Sequence, residues 1–176
     1  MIIITERLSI RAINMGDGNS ILKAAECPQI SLMHNNEFTD IGKVYKYIEI
    51  LKLEYEAGKY RTLAIADKET DTLIGLLTLD TDRIFPRAEL SYWINMQHRN
   101  KGYATEAVSA IIDYGFNNLN LNRIQAMHFS GNDASGRVLI KAGMTYEGTL
   151  RQYVGTGNIN YDCLMYSMLR SDRKIN

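Results

Sequence analysis

The run LSYWINMQHRNKGYATEAV, from Leu90 to Val108, changes its period in the middle. As far as Met96 it is an apolar run that suits a strand. Beyond the turn, Ala104, Ala107, Val108, Ile111, Ile112 and Phe116 recur at the three-and-four spacing of a single helix face. A strand must therefore give way to a helix within QHRNKGY, and that turn carries Arg99, Lys101 and Gly102. A strand running straight into a long helix fits a mixed α/β sheet. It also leaves the first N–H groups of the helix without partners, where an anion can take them.

The pattern on either side extends this frame. Leu8, Ile10 and Ala12 alternate with Ser9 and Arg11, which predicts a strand near residues 6 to 14. Ser20 to Cys27 reads as a short helix ended by Pro28. Ile41 to Ala57 reads as a longer one, with Val44, Ile48, Leu51 and Tyr55 on its apolar face, Asp40 as N-cap and Gly58 past its end. Strands follow over Arg61–Ala66, Thr72–Asp80 and Arg87–Met96, joined by turns at DKETD and around Phe85-Pro86. After the long helix, which runs to about Asn118, come a strand over Arg123–Phe129 and a helix over Asn132–Ala142 stopped by Gly143. Two last strands lie near Met144–Val154 and Ile159–Leu169. The expected fold is α/β (α+β), a mixed sheet of about seven strands flanked by about four helices. With no linker, low-complexity tract or repeat, residues 1–176 read as a single domain.

Twenty basic and twenty acidic side chains cancel, which removes the diffuse attraction behind non-specific nucleic-acid or anionic-membrane binding. Neither a nucleic acid nor a membrane is expected as a partner. Cys27 and Cys163 form no C-x-x-C pair, and His34, His98 and His128 are scattered, so neither a disulfide framework nor a metal site is expected. A reducing cytoplasm fits this usage. The apolar start MIII is broken by Glu6 and Arg7 before it reaches signal-peptide length, and no apolar run spans a membrane.

The turn meets the physical needs of a phosphate cradle. Gly102 removes a Cβ, Ala104 is small, the helix near Tyr103 points its dipole at the loop, and Arg99 and Lys101 add charge. It is neither a P-loop nor a G-x-G-x-x-G dinucleotide turn. A plainer reading, in which Gly102 only eases a tight turn, stands beside the anion site on these residues alone.

Arg99-Asn100-Lys101-Gly102-Tyr103-Ala104 resembles the [QR]-x-x-G-x-[GA] loop of the GCN5-related N-acetyltransferases, which binds the pyrophosphate of acetyl-CoA. TERLSIR, AELSYWI, GYATEAV, NDASGRVLIKAGMTYEGTLRQY and NYDCLMYSML resemble the bacterial branch that acetylates the N-termini of ribosomal proteins. The resemblance implies a sheet splayed between the fourth and fifth strands and acetyl-CoA as acetyl donor. The acceptor it implies is a primary amine, most readily a protein or peptide α-amino group, with a polyamine or aminoglycoside as the alternative. A catalytically weak acyl-CoA-binding module is a further alternative, and a homodimer is implied although no residue pattern demands one.

Carried onto this chain, the resemblance assigns the acetyl-pantetheine end to Trp93, Ile94 and Asn95. It assigns the pyrophosphate to Arg99, Lys101, Gly102, Tyr103, Ala104 and Thr105, and a further cofactor contact to Asn132. The side chains of Trp93 and Ile94 read equally well as core. Glu89 stands where the branch has a glutamate suited to take the amine proton, though it also reads as a solvent-facing strand residue. The family's usual acid, a tyrosine seven residues after the asparagine, is replaced by Leu139, leaving Ser135 as the branch's substitute or as an ordinary first-turn residue. Ser91, Asn100 and Met144 stand for a usual glycine, glycine and phenylalanine.

Overall fold

The computed structural model describes residues 2–27, 30, 38–57, 62–156 and 159–173. The expected roles of Pro28, Gly58 and Arg61, and the position of His34, lie outside the described residues. One sheet organises the chain. Its strands are β1 (Ile3–Ile4), β2 (Leu8–Ala12), β3 (Thr62–Asp67), β4 (Leu73–Thr81), β5 (Arg87–Ile94), β6 (Arg123–Phe129), β7 (Thr145–Thr156) and β8 (Ile159–Leu169). They are ordered β1-β2-β3-β4-β5-β6-β8-β7. Every neighbouring pair is antiparallel except β5 with β6. The sheet thus has eight strands where the sequence suggested seven. The addition is β1, too short to show alternation, which pairs Ile3 with Ile10 and Ile4 with Ser9.

The helices are α1 (Gly18–Ala24), α2 (Ile41–Glu56), α3 (Tyr103–Asn117) and α4 (Asp133–Lys141). Asp40 caps α2 as expected, its carboxylate accepting from the Lys43 amide at 3.0 Å. Gly143, at φ +90°, ends α4: its amide reaches Ile140 O at 2.9 Å and that of Met144 reaches Leu139 O at 3.0 Å. These are the two bonds of a Schellman stop. Asn132 caps the other end of α4, its side chain accepting from the Ser135 amide at 3.4 Å.

Strand alternation sends one set of side chains to each face of the sheet. Leu63, Ile65, Leu77, Leu79, Ala88, Leu90 and Ile94 pack under α3 and α4, around Val108, Ile111, Phe116 and Leu139. Ala64, Leu76 and Trp93 pack under α1 and α2, against Ile21, Val44 and Ile48. β5 contributes to both layers, with Ala88, Leu90 and Ile94 on one face and Trp93 on the other.

Candidate active site

β5 and β6 run together for only three pairs, Arg87 with Arg123, Ala88 with Ile124 and Glu89 with Gln125. Past Glu89 the two strands part, and β5 keeps β4 on one edge only. The Asn95 amide donates to Ile74 O of β4 at 2.9 Å, so alternation turns the peptide groups of Trp93 toward β4 as well. Those of Leu90, Tyr92 and Ile94 consequently face the open edge.

This divides the three residues expected at the acetyl end. Ile94 presents its backbone to the opening. Trp93 and Asn95 do not: the Trp93 side chain is 6% exposed in the core under α1 and α2, and Asn95 Nδ2 donates to Leu73 O at 3.3 Å. The backbone of Tyr92, rather than that of Trp93, lies on the open edge beside Ile94. Periodicity could have separated the two only if the edge facing β4 had been known.

After β5 a single 3₁₀ turn, Met96–His98, leads into the loop. Gly102 has φ +84°, a left-handed conformation that side chains resist, and no side chain among the described residues caps the start of α3. Asn100 is also left-handed, at φ +61°, which asparagine tolerates; this accounts for its standing where a glycine is usual. Lys101 and Gly102 are exposed, while Tyr103, Ala104 and Thr105 are half-buried along the first turn. Arg99 is directed elsewhere. Its Nε donates to Ile94 O at 3.0 Å and its Nη2 to Cys27 Sγ at 3.4 Å, so its guanidinium lies against the end of β5.

Across the opening, Ser135 in the first turn of α4 meets Tyr92 of β5. Their hydroxyls share a hydrogen bond of 2.8 Å, and Tyr92 Oη also lies 3.3 Å from Ser135 O. Burial pushes the Tyr92 phenol up, and the Ser135 bond offsets part of that. Leu139, which stands at the position of the family's usual tyrosine, is fully buried in the core. Glu89 is exposed and leaves β5 on the face opposite Tyr92, at the last pair before the strands part. Asp80 of β4 lies directly across from it. With Asp82, Arg87 and Gln125 the two carboxylates line a depression of about 210 Å³, in which Arg87 is paired to Asp82 at 2.9 Å.

An open strand edge leading to an uncapped helix start with a left-handed glycine suits a ligand that is amide-bearing at one end and phosphorylated at the other. Residues 7–145 match the family model for the acetyltransferase (GNAT) domain, and the chain belongs to that family. It is an acetyl-CoA-dependent N-acetyltransferase. Among its relatives, the uncharacterised N-acetyltransferase p20 of Bacillus licheniformis is 34% identical over 173 residues, 96% of each chain. Among solved structures, RimL, a ribosomal L7/L12 α-N-protein acetyltransferase in complex with coenzyme A, superposes with a TM-score of 0.86 at 17% identity, covering 98% of this chain and 100% of that one. The microcin C7 self-immunity acetyltransferase MccE, in complex with acetyl-CoA and AMP, gives 0.83 at 19% identity over 94% and 93%. Among the described residues no group of three or more His, Cys, Asp or Glu is gathered to hold a metal, and no helix is long and apolar enough to cross a membrane.

Proposed function

We propose that the protein transfers acetyl from acetyl-CoA to the α-amino group of a protein or peptide, with Glu89 as the base. The observation that carries this is the position of Glu89 at the vertex of the splay. The peptide groups of Tyr92 and Ile94 offer N–H donors to an acetyl carbonyl on the open edge, and Glu89 meets an amine arriving from the other face. The Gly102 turn and the first amides of α3, at Tyr103, Ala104 and Thr105, take the pyrophosphate, and Lys101 adds its charge. Asn132 and Ser135 flank the arm from α4, with Ser135 stabilising the departing sulfur. An α-amine has a reference pKa of about 7.7–8.0 against about 10.4 for lysine, so it asks less of a carboxylate base.

A second reading rests on the depression around Glu89. Asp80, Asp82 and Glu89 bring three carboxylates to it, with Arg87 answering Asp82, and such a surface suits a small cationic amine such as a polyamine. Release of free CoA thiol, followed over a panel of peptide N-termini, polyamines and aminoglycosides, decides between the two. On the first reading peptides turn over fastest. Exclusive turnover of polyamines establishes the second, and no turnover with any amine would reduce the protein to a cofactor-binding module.

Glu89→Gln keeps the shape and removes the basicity, so kcat at pH 7 should fall about 10²-fold, with acetyl-CoA affinity unchanged and the deficit shrinking as pH rises. Wild-type kcat in that variant removes Glu89 from the mechanism. The protein is further proposed to act in the cytoplasm as a single domain over residues 1–176, and its two buried cysteines, which form no disulfide, support the first of these. A homodimer is proposed from family resemblance, and light scattering at micromolar concentration checks it.

A further inference from the structure

The turn between β1 and β2 reaches the phosphate loop across 94 residues of sequence. Arg7 Nη1 donates to Lys101 O at 2.9 Å. Its Nε donates to Glu106 Oε2 at 2.8 Å, and Nη2 lies 2.6 Å from the same oxygen. The Arg7 amide and the Thr5 hydroxyl both donate to Glu106 Oε1, at 2.9 and 2.6 Å. The guanidinium carbon lies 4.7 Å from the centre of the Tyr103 ring, and a Cβ placed on Gly102 would come within 3.3 Å of Arg7 Nη2. One side chain thus touches or abuts Lys101, Gly102, Tyr103 and Glu106.

These contacts bear on the direction of one amide. In a trans peptide the carbonyl and the following N–H point opposite ways. Drawing Lys101 O toward Arg7 therefore turns the Gly102 N–H outward, away from the β1–β2 turn. Glu106 in turn fixes the first turn of α3, whose free N–H groups are not held by a capping side chain among the described residues. Burial raises the Glu106 carboxyl, but the bonds from Thr5 and Arg7 outweigh it and leave it below the usual carboxylate range, so the pair is charged. Arg99, the arginine that the loop motif itself supplies, is spent on Ile94 O and Cys27.

We propose that Arg7 is a positioning residue for the cofactor, a strap that holds the Lys101–Gly102 peptide and Glu106 so that the loop amides face the pyrophosphate before it arrives. The inference rests on the acetyl-CoA reading of the loop and is independent of the acceptor and of Glu89. A preformed loop avoids the ordering cost that a free one meets on binding. Arg7 does this through its neighbours, with its charge already answered by Glu106.

Calorimetric binding of two donors to wild type, Arg7→Met and Glu106→Gln tests it without an acceptor. Acetyl-CoA should bind each variant about tenfold more weakly, as a lost preorganised contact implies. Acetyl-pantetheine, which lacks the pyrophosphate and uses only the strand edge, should bind each within about twofold of wild type. Equal losses for both donors would mean general damage to the fold and overturn the proposal. Tighter acetyl-CoA binding by Glu106→Gln would also overturn it, since that is the sign expected if Arg7 were a direct phosphate ligand quenched by the glutamate. Should Arg7→Met fail to fold, Glu106→Gln decides the matter alone. A wild-type protein that does not bind acetyl-CoA overturns the loop assignment and the strap with it.

Discussion

Gly75→Ala places a methyl group where the backbone has no room for one. Gly75 of β4 pairs with Ile94 of β5, and an added Cβ would sit 2.1 Å from Trp93 O, 3.0 Å from Ile94 Cδ1 and 3.1 Å from Ile94 Cα. An isoleucine methyl can turn away, but a carbonyl in a strand ladder cannot, so β5 must move outward by about 1 Å to restore ordinary contact. Overpacking of that kind costs about 1–3 kcal/mol, and the ladder bonds it stretches, among them Asn95 N to Ile74 O, cost about 1 kcal/mol each. The stiffer unfolded chain returns roughly 0.4–1 kcal/mol. A net loss of about 2–3 kcal/mol should lower Tm by roughly 5–10 °C in a domain of this size. The movement also displaces the edge formed by Tyr92 and Ile94, so kcat/KM for acetyl-CoA should fall about tenfold or more at a temperature where the variant is folded. Thermal melts followed by circular dichroism and a thiol-release assay measure the two effects. A variant that melts with wild type and keeps its kcat/KM would refute both the tight β4–β5 contact and the use of that edge by the cofactor.

Gly102→Val forces a β-branched residue into a φ of +84° at the phosphate loop, and should weaken acetyl-CoA binding strongly in a protein that still folds; unchanged affinity in a binding titration would sink the loop assignment. Tyr92→Phe removes the 2.8 Å partner of Ser135 and should lower kcat by a few-fold with KM for acetyl-CoA unchanged, whereas an effect confined to KM would make Tyr92 a binding group. Glu147 is held down to about 2 by its hydrogen bonds from Arg123 and Ser167. A carboxyl depressed when folded stabilises the fold above its unfolded pKa of about 4.3 and loses that contribution as pH falls through about 2. With the side chain 37% exposed, solvent screening limits the effect to about 1 kcal/mol, so Glu147→Gln should be less stable than wild type at pH 7 and equal to it near pH 2. Denaturation midpoints that differ by the same amount at both pH values would refute this.

Where one face of an element is buried and its ends carry turn chemistry, the sequence was enough. Arg123–Phe129 and Ile159–Leu169 were bounded to the residue, and the Asp40 cap and Gly143 stop lie where their chemistry put them. β1 escaped because two residues cannot display a period. At the site, the strand, the loop and the asparagine cap were readable from local pattern. Which of Trp93 and Tyr92 turns its backbone to the open edge was not, because that depends on which edge of β5 meets β4, a fact of pairing rather than of composition. Arg99 reads as a loop charge from its place in the motif, and the bonds of its guanidinium to Ile94 O and Cys27 Sγ leave no sign in the sequence. Arg7 left no local signal, since its partners Lys101 and Glu106 become neighbours only when the β1–β2 turn meets the start of α3.

The parting of β5 from β6 has a consequence for solubility. It gives the sheet an unpaired strand edge in its middle, the kind of backbone template that invites another chain to add itself. The chain blunts this edge from within. Arg99 occupies the carbonyl of Ile94 at the loop end, and the Tyr92–Ser135 bond ties α4 across the middle. The same bonds that shape the candidate site therefore leave fewer groups of this edge open to a neighbour's strand.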